Sequence, residues 1–208
     1  MGKQKCLIVG AGPELFWDER FTPDLILCAD GGLDHARDLG LRPHVCIGDR
    51  DSLSAAPGPE TVFLSHPAEK NYTDLQACVE YAIAQKVSEV AVIGASGGRL
   101  DHFMANVGLL ESLFLRGIGG VILNEQNEIG MIAPFCAFAP PHPYCYLSLV
   151  PLDERVTGVF IEGVKYPLSG ATLRRCDTLG VSNEPLPGKT VRIDIGAGRA
   201  LVIRSVRV

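Results

Sequence analysis

The sequence predicts an α/β protein in two parts, a parallel-sheet domain followed by a small antiparallel β-sandwich. Three observations carry that expectation. Short apolar runs alternate with longer stretches of helical periodicity through residues 1–133. Four prolines then crowd into Pro134–Pro143, where no helix could survive. Beyond them the apolar runs are short, β-rich and punctuated by Gly and Pro.

In chain order, the expected strands of the first part are Cys6–Val9, Leu25–Ala29, Val45–Ile47, Val62–Leu64, Val90–Ile93 and Val121–Leu123. Between them Leu75, Cys78, Val79 and Ala82 recur at helical spacing, as do Phe103, Val107, Leu110 and Phe114. Both segments are expected to be amphipathic helices packed on the sheet, with Thr73 and Asp101 as N-caps. The second part should build its sandwich, or a small barrel, from Tyr144–Val150, Val156–Glu162, Val191–Ile195 and Ala200–Val206.

The chain has 208 residues, and its apolar content of 47% is enough for a real core. Its formal charge of −5, with no Lys/Arg run, argues against a nucleic-acid partner. An anionic substrate would therefore need local help, such as a metal ion. The seven cysteines are scattered, and several sit inside apolar runs, which reads as small buried hydrophobes in a reducing compartment. The apolar run ending at Gly10 is too short for a signal peptide or a membrane span, so a cytoplasmic location without a membrane partner is expected.

In an open parallel sheet, ligands bind beyond the carboxyl ends of the strands, and here those ends are rich in Gly and Asp. They carry Gly10-Ala11-Gly12-Pro13, Asp30-Gly31-Gly32, Gly48-Asp49-Arg50-Asp51-Ser52 and Gly94-Ala95-Ser96-Gly97-Gly98-Arg99-Leu100-Asp101-His102. Asp49 and Asp51 flank one residue in a tight turn, and Asp74 opens the helix after Lys70-Asn71-Tyr72-Thr73. Such oxygen-only ligands, completed by substrate phosphates, suit magnesium; any one of these motifs alone reads as a plain turn or helix start, and their joint placement at strand ends is what favours a metal site. Gly94–Gly98 precedes a helix, so its backbone N–H groups can cradle phosphate while Arg99 supplies a planar donor fork. The stretch lacks the terminal Gly-Lys-Ser/Thr of a P-loop. Lys70 is placed to reach a phosphate as a point charge, or is a solvated lysine.

In order and approximate spacing these segments resemble the thiamine pyrophosphokinases, also called thiamine diphosphokinases. The residues that carry the likeness are Ala29-Asp30-Gly31-Gly32, Gly48–Ser52, Lys70–Asp74 and Gly94–His102. Gly180-Val181-Ser182-Asn183-Glu184 resembles the family's thiamine-contacting loop, so the likeness covers nearly the whole chain. It implies a Rossmann-like catalytic domain binding ATP and Mg²⁺ over 1–133, a thiamine-binding β-domain over 144–208, and a homodimer with shared thiamine pockets. ATP would be the co-substrate, Mg²⁺ the cofactor and AMP the second product.

On that resemblance the thiamine hydroxyl attacks the β-phosphorus of ATP in line, with Asp49, Asp51 and Asp74 holding Mg²⁺ on the phosphates. The nucleotide side is assigned to Asp30, Gly31, Gly32, Lys70, Ser96, Gly97, Gly98 and Arg99. His102, Ser182 and Asn183 are assigned to the acceptor. Asp101 orients or deprotonates the hydroxyl, binds metal, or merely caps its helix. Two departures stand out: Asn71 replaces a usual aspartate, and Arg50 a usual aromatic or aliphatic residue. Three alternatives compete. One is a diphosphokinase for another hydroxymethyl heterocycle such as a pterin. Another is a non-catalytic thiamine or nucleotide sensor, and the third is a dinucleotide-binding module suggested by Gly10-Ala11-Gly12 and Asp30.

Overall fold

The computed structural model describes residues 4–49, 54, 56–65, 71–132, 135–138 and 144–206. Two compact units divide the chain, Met1–Glu125 and Gln126–Val208. The expected boundary at Pro134–Pro143 comes too late, because β7 (Asn127–Met131) and β8 (Phe135–Phe138) pair with strands near the C-terminus.

In the first unit every expected strand forms: β1 (Lys5–Val9), β2 (Leu25–Ala29), β3 (Val45–Gly48), β4 (Val62–Ser65), β5 (Glu89–Ile93) and β6 (Gly119–Leu123). They lie in the order β4-β3-β2-β1-β5-β6, with every pair parallel. β1, β2, β3 and β5 are buried almost throughout, which explains their unbroken apolar runs: a parallel strand covered on both faces has no polar side to show. The chain runs outward from β1 through β2, β3 and β4, then returns through α2 (Asp74–Ala84) to β5 on the other side of β1. Strand order thus reverses between β1 and β5, the place where such sheets open a ligand crevice.

Thr73 caps α2 as expected, its hydroxyl oxygen accepting from the Gln76 N–H at 3.2 Å. Asp101 does not cap α3 (Leu100–Leu115): the cap position is Arg99, and Asp101 lies in the first turn. A third helix, α1 (Gly32–Asp38), was not anticipated from a segment that opens with two glycines. It starts hard against the end of β1, where a Cβ on Gly32 would stand 2.1 Å from the Val9 carbonyl oxygen. Only glycine allows that approach.

The second unit holds β7, β9 (Tyr146–Pro151) and β13 (Ala200–Ser205) in the antiparallel order β7-β13-β9. Facing them are β10 (Arg155–Glu162), β11 (Leu168–Arg174), β12 (Val191–Asp194) and β8, in the order β11-β10-β12-β8. Leu147 and Leu149 of β9 pack with Val159 and Ile161 of β10 and Ile193 of β12 in one core, the sandwich that the short β-rich runs predict.

No described helix is long and apolar enough to cross a membrane. Cys6, Cys28, Cys46 and Cys78 are buried, in keeping with their apolar runs, whereas Cys145 and Cys176 are exposed.

Candidate active site

A cavity of roughly 340 Å³ opens at the reversal of strand order in the first unit. Gly10, Asp30, Asp74, Gly97, Arg99 and His102 are among the residues that line it. The loops after β1, β2 and β5 and the first turns of α2 and α3 therefore converge, three of the four strand ends that the placement of Gly and Asp singles out.

Close backbone approach makes this convergence possible. The Gly10 N–H donates to the Ile93 carbonyl at 2.8 Å and the Gly12 N–H to the Gly94 carbonyl at 2.7 Å. A Cβ on Gly12 would stand 2.7 Å from the carbonyl oxygens of both Gly94 and Ser96. These glycines serve loop-to-loop packing. No helix occurs between β1 and β2, all of which is described, so the helix that a dinucleotide pyrophosphate needs behind Gly10-Ala11-Gly12 is missing. That removes the dinucleotide reading.

Asp30 is nearly buried and holds φ at +44°, a left-handed conformation that Asp tolerates better than most residues. Its N–H donates to the Ile47 carbonyl at 2.8 Å, and its side chain lies on Gly48, where an added Cβ would stand 2.7 Å from Oδ1. Glycine before Asp49 is thus required by Asp30. Asp74 enters the cavity from the first residue of α2. Burial pushes the Cys46 thiol up to about 12, and the charges of Asp30 and then Asp74 push the same way.

Asp49 directly follows β3 but is not among the residues lining the cavity. Asp51, Arg50 and Lys70 lie outside the described residues. Among the described residues no three His, Cys, Asp or Glu side chains converge on a metal position. The pair Asp30 and Asp74 still fits magnesium, which is commonly held by one or two carboxylates with substrate phosphates and water.

In the same cavity lining, Gly94, Gly97 and Gly98 all adopt positive φ, and the loop leads into the N-terminus of α3, which has no side-chain cap. Backbone N–H groups and the helix dipole are thereby available to an anion. Arg99 lines the cavity and is held by Asp101, Nε to Oδ1 at 3.1 Å and Nη2 to Oδ2 at 2.5 Å. That hydrogen-bonded pairing keeps the Asp101 carboxyl at about 2, against an ordinary 3.8. Asp101 itself is not a lining residue, and neither are Gly31, Gly32 or Ser96. Gly31 and Gly32 begin α1, and the Ser96 hydroxyl oxygen accepts from Asn124 Nδ2 at 2.9 Å.

Asn106 escaped the sequence reading. It lines the cavity and donates from Nδ2 to the Ala95 carbonyl at 2.9 Å. Its spacing of four residues from His102, on one helix face, was the available signal.

In the second unit a smaller pocket of roughly 210 Å³ is lined by Tyr166, Leu168, Thr178, Leu179, Val181 and Asn183, among others. The Asn183 side chain is engaged within the protein. Its Oδ1 accepts from the N–H groups of Tyr166 and Glu184, each at 3.0 Å, and its Nδ2 donates to the Tyr166 carbonyl at 2.6 Å. Ser182 holds φ at +59° with its N–H on Ser148 Oγ at 3.0 Å, and is exposed.

Comparison with known proteins agrees with both halves. Residues 17–119 match the family model "Thiamin pyrophosphokinase, catalytic domain", and residues 138–199 match "Thiamin pyrophosphokinase, vitamin B1 binding domain". The thiamine pyrophosphokinase of Bacillus subtilis (strain 168) is 28% identical over 224 residues, covering 95% of this chain and 97% of its own. A crystal structure of the Bacillus subtilis protein superposes with a TM-score of 0.90 at 28% identity, covering 99% of this chain and 100% of its own. The thiamin pyrophosphokinase of Geobacillus thermodenitrificans is 32% identical with a TM-score of 0.86, covering 98% of each chain. With both domain models matched in order and that identity sustained end to end, the chain belongs to the thiamin pyrophosphokinase family.

Proposed function

We propose that the chain transfers the diphosphate of ATP to the hydroxyl of thiamine, releasing thiamine diphosphate and AMP. The observation that carries this reading is the cavity itself, which is lined both by Asp30 and Asp74 and by Gly94, Gly97, Gly98 and Arg99 at the uncapped N-terminus of α3. Acidic oxygens and an anion cradle in one cavity suit a polyphosphate that arrives with a cation.

Asp74 and Asp49, with Asp51 two residues after Asp49 in sequence, would hold Mg²⁺, and Asp30, which lines the same cavity as Asp74, would join them. When bound, the metal supplies charge neutralisation on the phosphate oxygens. The remaining work falls to the chain. Backbone N–H groups from Gly94 to Gly98 orient the phosphates, Arg99 stabilises charge on the transferring group, and His102 and Asn106 border the space where the acceptor hydroxyl must come. Lys70, which precedes α2 in the sequence, would be a further phosphate contact. Paired with Arg99 and ionised at neutral pH, Asp101 positions the guanidinium. Asp101 is a poor base at that pH, which supports an orienting role over proton abstraction.

The acceptor's heterocycle is assigned to the second unit, where Ser182 stands beside the pocket lined by Tyr166 and Val181. The protein works as a cytoplasmic homodimer. A panel of acceptors tests the reading: thiamine should turn over with Mg²⁺ while a hydroxymethyl pterin does not, and the reverse order would replace thiamine by a pterin.

A further inference from the structure

A donor loop rich in glycine needs an outside anchor. Gly94, Gly97 and Gly98 all sit at positive φ and contribute no side chain of their own to hold the loop. Two amides supply anchors from elsewhere. Asn106 takes the Ala95 carbonyl from α3, as described. The second amide is Asn124, the residue after β6, which lies outside every motif of the sequence and outside the cavity lining.

Asn124 and Ser96 are both buried, 7% and 4% exposed. The Asn124 amide nitrogen donates to Ser96 Oγ at 2.9 Å and to Glu14 Oε2 at 2.8 Å. One NH₂ group has two hydrogens, so each partner can receive one. Ser96 belongs to the loop after β5 and Glu14 to the loop after β1, so a residue at the end of β6 ties together both loops that meet at the reversal of strand order. The two loops also touch directly. A Cβ on Gly97 would stand 2.7 Å from Pro13 Cγ and 3.0 Å from Glu14 Cγ.

The structure assigns Asn124 as a positioning residue for the nucleotide: it fixes Ser96, and through Ser96 the N–H groups of Gly97 and Gly98, against the β1 loop. The assignment rests on the reading of this cavity as the nucleotide site. It gives the Ser96 hydroxyl a partner inside the protein, so Ser96 acts through loop placement. A displaced donor loop lowers affinity for the phosphates and leaves the acceptor pocket of the second unit untouched.

The experiment measures binding of α,β-methylene-ATP with Mg²⁺ by calorimetry, with KM for ATP and for thiamine, in wild type, Asn124→Ala, Ser96→Ala and the double variant. Asn124→Ala should weaken nucleotide binding and raise the KM for ATP about tenfold, with the KM for thiamine within about twofold of wild type. Ser96→Ala should weaken nucleotide binding about threefold and add nothing on top of Asn124→Ala, because residues in one network are not additive. Full additivity would mean Ser96 meets the phosphate directly, and would overturn the assignment. Unchanged nucleotide binding in Asn124→Ala would also overturn it, as would an equal rise in both KM values. Melting curves identify any variant that fails to fold. Should Asn124→Ala be one, Asn124→Ser takes its place in the same comparison with Ser96→Ala: weakened and non-additive nucleotide binding supports the clasp, and additive losses or unchanged binding refute it. A folded wild type that binds no nucleotide removes the reading of the cavity, and this assignment with it.

Discussion

Gly10 and Gly94 meet backbone to backbone at the reversal of strand order: a Cβ on Gly10 would stand 2.4 Å from the Gly94 carbonyl oxygen, and one on Gly94 2.3 Å from that of Gly10. Backbone cannot retreat as a flexible side chain can. Gly10→Ala should therefore lower stability by about 1–3 kcal/mol and weaken nucleotide binding. Gly108→Ala, in α3 with open space around it, should instead raise stability by about 0.5–1 kcal/mol. Denaturant midpoints of the two variants check the contrast. Equal losses would mean that helix and loop glycines are sensitive for some reason other than this contact.

The carboxylates carry the metal argument. Asp74→Asn and Asp49→Asn should each cut turnover by about a hundredfold or more while the melting temperature stays near that of wild type. Excess Mg²⁺ should recover part of the loss. Wild-type rates in Asp49→Asn would remove that residue from the metal site, which Asp30 and Asp74 would then have to form.

Ser182 and Asn183 are neighbours with different expected phenotypes. Ser182→Ala should raise the KM for thiamine about tenfold with little effect on stability, the cost of one lost substrate hydrogen bond. Asn183→Ala leaves the Tyr166 and Glu184 main-chain groups without their partner, so it should lower stability by about 1–3 kcal/mol. Kinetics and melting curves on the same two variants separate these outcomes.

The Arg99–Asp101 pair sets a pH signature. The Asp101 carboxyl titrates in the folded protein at about 2 against an ordinary 3.8. A depressed carboxylate contributes stability that is present above 3.8 and lost as pH falls towards about 2. Carboxyl NMR should find Asp101 titrating near 2 in wild type and close to 3.8 in Arg99→Gln. The rate profile near neutral pH should carry no inflection from Asp101.

How far the sequence reached depended on burial. Strands β1, β2, β3 and β5 were legible because both faces are covered, and Thr73 because a capping hydroxyl has a characteristic place before an apolar helix. β11 was not legible: only Leu173 is fully buried, so no alternation marks it. α1 hid behind Gly31-Gly32, which reads as a turn until the end of β1 is seen pressing on Gly32. At the site, Asp30, Gly97, Gly98, Arg99 and His102 come from segments after strands and Asp74 from the start of α2, and all six line one cavity. Asn106 and Asn124 were invisible because their work is to hold main chain and hydroxyl groups contributed by distant segments.

The most direct measurement incubates the purified protein with ATP, Mg²⁺ and thiamine, and quantifies AMP, ADP and thiamine diphosphate by chromatography, with no-metal and no-thiamine controls. The account predicts AMP and thiamine diphosphate in equal amounts, only when metal and thiamine are both present, with no ADP. ADP with thiamine monophosphate, or no product from a protein that still binds both substrates, would contradict it.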